Sequence, residues 1–388
     1  MAIKRIALSV VMLACGMAWG QQAGPVEKGK EMIAKGLEYL KGQQKEDGSW
    51  QTSDDPPAIS AIVLQGFVES GMYSAKDDFV KKGYEKLLAS QKEDGGIYEG
   101  MLSNYNTAIA VSSLSAAKEP AFQTQLDKAV AFLRHIQWTD VDSLNTDGKK
   151  VNKVWYGGWG YGGRTKNGGR PDLSNVQLTM DALHDSGLKA DDPAFKAATE
   201  FVTHMQNLSA TNDQPWASND GGFIYSPGND GEGASVAGVY NDPSGHRRLR
   251  SYGSMTSAGL KSYLYAGLSK EDPRVKAAFD WISENYTLDG NPGMGDEKPE
   301  NAQAGLYYYY HTLARALNAY DSPTITDKGG KAHDWRVELI EKAGQLQKPD
   351  GSFVGEKKWM ESNSNLVTAY VVLALEEVEQ DLMQHPPA

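Results

Sequence analysis

The residues best equipped for chemistry fall in two short segments. One reads Arg170-Pro171-Asp172-Leu173-Ser174-Asn175-Val176-Gln177 and opens an apolar run; the other is Tyr310-His311-Thr312, which follows three further tyrosines at 307–309. Asp172 has two readings. Its carboxyl caps the helix that follows, or, buried and held neutral, it donates a proton. His311 is likewise either a base in a cavity or a buried, hydrogen-bonded imidazole. Asp172 and His311 are therefore the candidate catalytic pair, with Asn175, Gln177, Tyr252 and Tyr310 as candidate ligand contacts.

Positive charge gathers in the two longest irregular stretches, 138–171 and 207–251. They carry Arg164, Lys166 and Arg170 in one and Arg247, Arg248 and Arg250 in the other. Long irregular segments in a compact repeat are more often functional than short ones. These arginines either receive an anionic group, such as a phosphate, diphosphate or carboxylate, or pair with Asp172, Asp185, Asp220 and Asp230 and brace the loops. On the first reading Arg164, Arg170, Arg248 and Arg250 bind ligand. Aromatics crowd the same zone, among them Trp155, Tyr156, Trp159, Tyr161, Trp216, Phe223, Tyr225 and Tyr252. In a cavity their π-faces stabilise cationic centres or stack on sugars. Trp159 and Phe223 hold a repeated position better suited to core packing. Residues 307–310 are four tyrosines spanning one helical turn, so only one or two can face a cavity.

Bulk properties narrow the partners. The net charge of −11 disfavours nucleic acid or an anionic membrane surface, each of which needs a basic face. Residues 1–20 read as a cleaved signal peptide: Lys4 and Arg5, then an apolar run too short to span a bilayer, then Ala18-Trp19-Gly20. The mature chain is thus expected outside the cytoplasm, secreted or periplasmic, with no membrane-spanning segment. Cys15 is the only cysteine and lies in that segment, so the mature chain has no disulfide and no thiolate. A lipoprotein box ending at Cys15 is the weaker alternative. Asp140-Val141-Asp142 with Asn145 and Asp147-Gly148 has carboxylates at calcium-loop spacing but lacks the closing glutamate, and reads as well as a solvated loop. There is no nucleophile elbow, no phosphate-binding glycine loop and no cysteine for a thioester. No cofactor and no metal centre are expected.

The elements that must position these residues are repeats. Three copies are clear: Gln44-Lys45-Glu46-Asp47-Gly48-Ser49-Trp50, Gln91-Lys92-Glu93-Asp94-Gly95-Gly96-Ile97-Tyr98 and Gln347-Lys348-Pro349-Asp350-Gly351-Ser352-Phe353. Each follows a charged amphipathic helix and precedes an apolar one, at 58–68, 107–117 and 366–378. Three degenerate copies lie between, around Gly157-Gly158-Trp159-Gly160, Asp220-Gly221-Gly222-Phe223 and Gly293-Met294-Gly295. Asp-Gly makes the turn, the glutamine reaches backbone in the neighbouring repeat, and the aromatic wedges beneath it. One hairpin cannot bury both helices, so the units stack. The second helices have little charge and belong inside; the first carry Lys and Glu and belong outside. The expectation is an all-α fold, an α/α toroid of six helical hairpins over 28–380, with an open solenoid as the alternative. Residues 21–27 are then a linker and 381–388 a disordered tail.

The Gln-x-x-Asp-Gly-Ser-Trp signature with small inner helices resembles the repeats of squalene–hopene cyclases and protein prenyltransferase β-subunits, over nearly the whole mature chain. The inner helices run in one direction, so their N-termini meet at one rim, where the chamber is expected; the resemblance implies an isoprenoid or other extended ligand with an anionic end, a small hydrophobic or amphiphilic molecule. It also implies two chemistries, and the residues depart from both. The cyclases open an inner helix with Asp-x-Asp-Asp-Thr, whose acid protonates an alkene; here Asp172 keeps the first aspartate while Ser174 and Asn175 replace the pair. The prenyltransferases hold zinc with Asp-x-Cys-Tyr-Ser and Tyr-His-Thr; here His311 matches, while Leu249 and Ser251 stand at the Asp and Cys positions. Two other readings stay open: a binding or scaffold toroid without catalysis, and a polysaccharide-active enzyme.

Overall fold

The computed structural model describes residues 24–52, 55–139, 145–146, 149–150, 153–162, 169–228 and 231–386. The expected signal segment, Arg164, Lys166 and most of the 140–148 loop lie outside them. Twelve α-helices follow in order among the described residues: α1 (Pro25–Gly42), α2 (Ala58–Glu69), α3 (Asp78–Leu88), α4 (Ser103–Ala117), α5 (Gln123–His135), α6 (Leu173–Asp185), α7 (Pro193–Met205), α8 (Gly253–Tyr265), α9 (Pro273–Glu284), α10 (Leu306–Tyr320), α11 (Trp335–Leu346) and α12 (Ser364–Gln384). Three two-stranded hairpins decorate the loops.

Sequence pattern sorts the helices into two rings. In α3 the buried residues Val80, Gly83, Tyr84 and Leu87 form one stripe and the lysines face out. In α2 every residue from Ala58 to Phe67 is buried, which no surface helix permits. The even-numbered helices are the inner ones. Each packs on the next, and α12 packs on both α10 and α2, so the ring closes. The chain is an α/α toroid. Among the described residues no helix is long and apolar enough to cross a membrane.

The repeat's glutamine stitches neighbours together. Gln44 Nε2 donates to the carbonyls of Gly48 and Phe79, Gln91 Nε2 to those of Gly95 and Gln125, and Gln206 Nε2 to those of Gly221 and Arg274. At the closing seam Gln347 Nε2 donates to Gly351 and, across the whole length of the chain, to Met32, both near 3 Å. Gly351 shows why the turn needs glycine. Its φ is +89°, and a Cβ there would lie 2.3 Å from the Lys35 carbonyl of α1. The aromatic wedge is equally direct: Trp50 is buried, donates to the Leu40 carbonyl at 2.6 Å, and lies against Gly83 of the next outer helix. The helix limits run past the expected domain limits. Pro25 opens α1, and α12 reaches Gln384 because buried Asp381 pairs with Arg336 at 2.7 Å.

Candidate functional site

All six inner helices begin at one mouth of the ring, and a chamber of about 310 Å³ lies among their first turns. Pro56 precedes α2; Leu102 and Tyr105 come from α4, Ser174 and Leu178 from α6, Tyr252 and Met255 from α8, Tyr308 from α10 and Tyr370 from α12. Tyr161, Tyr225, Trp359 and Met360 arrive from loops. Among the described residues no carboxylate, ammonium, guanidinium or imidazole lines this wall. Burial pushes up all six tyrosine hydroxyls, Tyr105 to about 12, so these six stay neutral at neutral pH.

Backbone strain gathers at the same wall. Leu102, Trp359 and Met360 have φ of +60°, +53° and +65°, a region that costs a branched or bulky side chain roughly 1–3 kcal/mol. The other non-glycine residues of positive φ among the described ones, Lys118 and Asp321, are C-caps of α4 and α10. The Trp359 ring covers Gly305, where a Cβ would approach it to 2.7 Å.

Asp172 caps α6 from just behind the chamber. It is 2% exposed and accepts three hydrogen bonds: from Ser174 Oγ at 2.6 Å, Asn175 N at 3.0 Å and Asn175 Nδ2 at 2.9 Å. Burial raises its carboxyl above the usual range, and these donors and Arg170 pull it back. Ser174, not Asp172, presents the polar atom to the chamber. Asn175 is fully buried and accepts from Asn104 of α4, so it ties two inner helices together. Tyr252 lines the chamber. Gln177 lies beneath it and donates to the Tyr308 hydroxyl at 2.9 Å.

His311 stands in a different place. Its ring stacks on Tyr370 at 5.5 Å, it does not line the chamber, and its Nδ1 has no partner among the described residues. Burial, then Arg315 and Lys261, press its pKa well below the usual imidazole value. Asp172 and Tyr252 thus share the chamber's surroundings, while His311 belongs to the layer beneath. Ser251, at the prenyltransferase cysteine position, donates to Asp220 and accepts from Asn207, and Leu249 is buried in the core. Among the described residues no group of three or more His, Asp or Glu is placed to hold a metal ion.

The rim arginines face loops. Arg248 donates to Asp242 at 2.9 Å and to the carbonyls of Pro215 and Ala217. Arg250 covers the Tyr240 ring at 5.2 Å and lies 4.0 Å from Asp296. Arg170 donates to Ser226 Oγ at 3.0 Å. None of these three lines the chamber. Tyr310 also turns away, its hydroxyl donating to the Leu288 carbonyl, while Tyr308 faces in.

The sequence reading missed a buried polar bridge under the chamber floor. Gln177 Oε1 accepts from Lys261 Nζ at 2.7 Å; Lys261 pairs with Asp181 at 2.6 Å; Asp181 meets Arg315 at 3.3 Å; Arg315 reaches Asp185 and Glu377, each at 3.1 Å. Lys261 and Asp181 are 0% and 2% exposed. A single lysine in the otherwise uncharged α8 was the available signal, since a buried ammonium requires a partner.

Comparison with known proteins agrees with this architecture. No family model matches the chain. A squalene–hopene cyclase from Zymomonas mobilis is 28% identical over 135 residues, a match covering 29% of this chain and 20% of that protein. The chain therefore spans about a fifth of the length of that relative. Among solved structures, the type II terpene cyclase MstE from Scytonema, with its product merosterolic acid A, superimposes with a TM-score of 0.52 at 13% identity, covering 92% of this chain and 99% of that one. The same cyclase with geranylgeranyl dihydroxybenzoate gives 0.51 at 13% identity and the same coverage. The α-1,6-mannanase GH76A of Salegentibacter, with α-1,6-mannotriose, gives 0.55 at 10% identity, covering 90% of this chain and 99% of that one. At such identities the likeness is one of fold, and the fold of this chain is the terpene cyclase-like α/α toroid.

Proposed function

We propose that this protein is an exported, hydrophobic-ligand-binding toroid that takes an extended, uncharged small molecule of isoprenoid type into the tyrosine chamber. The lining carries the reading: six tyrosines with Leu102, Leu178, Val236, Met255, Met360 and Trp359, and no charged side chain among the described residues. Such a wall favours apolar ligand surface, and burying a charged end there without a partner costs several kcal/mol at about the low end. The volume of about 310 Å³ sits at the lower edge of small-molecule pockets, roughly 300–1,000 Å³. The MstE neighbour, which holds geranylgeranyl dihydroxybenzoate, is consistent with this ligand class.

Acid-initiated cyclisation is not the favoured chemistry. It requires an acidic O–H facing the alkene. Asp172 has both oxygens engaged, and Ser174 stands between it and the chamber. In this reading Asp172 fixes Ser174 at the wall and His311 supports Tyr370 from behind. Glycan cleavage requires two carboxyl groups flanking one bond, and the described residues of the chamber wall offer none. Export, expected from residues 1–20, would place the ligand in the periplasm or outside the cell.

Tryptophan emission tests the proposal, because Trp359 stands at the chamber wall. Titration with farnesol or geranylgeraniol is expected to give a saturable change that Trp359→Phe removes and that Leu178→Trp, which fills the chamber, abolishes. An equal response from a folded Leu178→Trp variant would end the reading.

A further inference from the structure

The opposite mouth of the ring, where the inner helices end, opens into a well of about 900 Å³. Its wall carries five carboxylates, Glu69, Asp185, Glu376, Glu377 and Glu379, and two cations, Lys118 and Arg315. Most of these charges are accounted for. Arg315 holds Asp185 and Glu377, and Glu379 lies 3.4 Å from Lys30. Asp181, below the wall, is held by Lys261. Glu69, exposed at the edge of the well, accepts an amide hydrogen bond from Gln65 at 2.7 Å. Both carboxylate oxygens of Glu376 are buried and have no partner among the described residues. Asp181, 2% exposed, also has one oxygen unpartnered. Buried acceptors of this kind are rare in folded proteins and call for a donor beyond those the described residues supply.

The sign of the field is set by more than these side chains. Six helix C-termini converge here and add partial negative charge from their free carbonyls. A bare metal ion suits the well poorly, because no three acidic or histidine side chains converge among the described residues. The volume is that of an organic molecule, and Ser112, Ser115 and Asn318 add neutral hydrogen-bonding groups to the wall. An ammonium group offers three donors and a positive charge, which is what Glu69 and Glu376 lack.

We infer that the acidic well is a second ligand site, built for an organic ammonium ion of the polyamine type and centred on Glu69 and Glu376. It is separate from the tyrosine chamber and does not depend on what that chamber binds. Burial and the neighbouring carboxylates lift Glu69 to about 7 and Glu376 well above the ordinary carboxyl range. The groups facing this pair are Arg315, which opposes the lift, and Asp185, Glu377 and Glu379, which add to it. Lys118 and His184 complete the wall. An entering ammonium ion favours the ionised carboxylates, and displaces protons from them to solvent while keeping its own.

Calorimetric titration of the full protein with spermidine, in buffers of different ionisation heat, tests this directly. Saturable binding with net proton release is expected near pH 7, where Glu69 is about half protonated. The part of the release that comes from Glu69 should fade as pH rises above about 7, where this carboxyl is ionised before binding. Glu376→Gln is expected to weaken binding by about thirtyfold, the order seen when one partner of a desolvated charge pair is removed. Glu69→Gln should do the same, and melting curves establish that both variants fold. Leu178→Trp, which fills the chamber at the other mouth, should leave spermidine binding unchanged. Three results would overturn the site: no saturable heat, equal competition by magnesium chloride at matched ionic strength, or wild-type affinity in both glutamine variants.

Discussion

The two mouths of this toroid are walled by the same six helices, yet their chemistry is opposite. Where the helices begin, free N–H groups favour negative charge, and the carboxylates near that end serve as caps. Asp172 caps α6, and Glu361, 1% exposed, receives the N–H groups of Tyr307 and Tyr308 at 2.9 Å each. Neither lines the chamber wall, to which the described residues bring no charged side chain. Where the helices end, the dipoles favour positive charge, yet the chain places five carboxylates there. At one mouth acid residues stabilise the helices. At the other they oppose the helix field, each by a few tenths to about 1 kcal/mol. Ion pairing with Arg315 and Lys30 explains Asp185, Glu377 and Glu379, whereas Glu69 and Glu376 have no cation of this kind among the described residues and point to a ligand.

The largest effect is expected at the bridge that divides the mouths. Lys261→Met leaves Asp181 buried with only the 3.3 Å contact to Arg315, and breaking a buried pair in this way costs about 3–5 kcal/mol. Urea unfolding measures it. Pairing Lys261→Met with Asp181→Leu should restore most of the loss, because the uncompensated charge is gone. If Lys261→Met alone is neutral, the bridge does not set the two mouths apart.

A smaller, pH-dependent effect is expected at Glu361. Its carboxyl is pushed up to about 7 by burial, against the pull of the α10 N–H groups. Its folded value lies above its unfolded one, so the protonated form is stabilised on folding. That contribution is complete below the unfolded value and is lost as pH rises through about 7. Between about pH 4.5 and 8 the wild type should lose up to about 3 kcal/mol relative to Glu361→Gln. Chemical unfolding of both proteins across that range measures the difference. A flat difference would mean that the cap is ionised throughout, and the contrast between the mouths would narrow.

The ring was legible because its physics is repeated six times. Each Gln, Asp-Gly and aromatic performs the same task, so even copies reduced to Gly157-Gly158-Trp159 could be placed. The chamber was legible only in part. Ser174 and Tyr252 sit at helix starts that the repeat defines, whereas Tyr105 and Tyr370 are 265 residues apart and meet only because the ring closes. Tyr308 rather than Tyr310 faces inward, with Glu361 holding the N–H of Tyr308 and the Leu288 carbonyl taking the Tyr310 hydroxyl. The arginines invited an anion-binding lip, but local carbonyls and Asp242 take Arg248, a pairing within a β-hairpin (Val239–Asn241 with Arg247–Leu249) that composition alone does not reveal. The acidic well was missed because its carboxylates stand at the far ends of helices read for their beginnings.

The smallest effect is the most discriminating, and it concerns Asp172. As a cap it accepts one backbone and two side-chain hydrogen bonds. Asp172→Asn keeps one acceptor oxygen for the Asn175 N–H but loses the charge that complements the helix end, and should cost about 1 kcal/mol. Farnesol binding should be unchanged, because Ser174 and not Asp172 lines the chamber. If unfolding shows no loss while the farnesol response disappears, the carboxyl acts on the ligand after all. The first mouth would then hold working acid as well as capping acid, and the contrast with the second would no longer be one of stability against function.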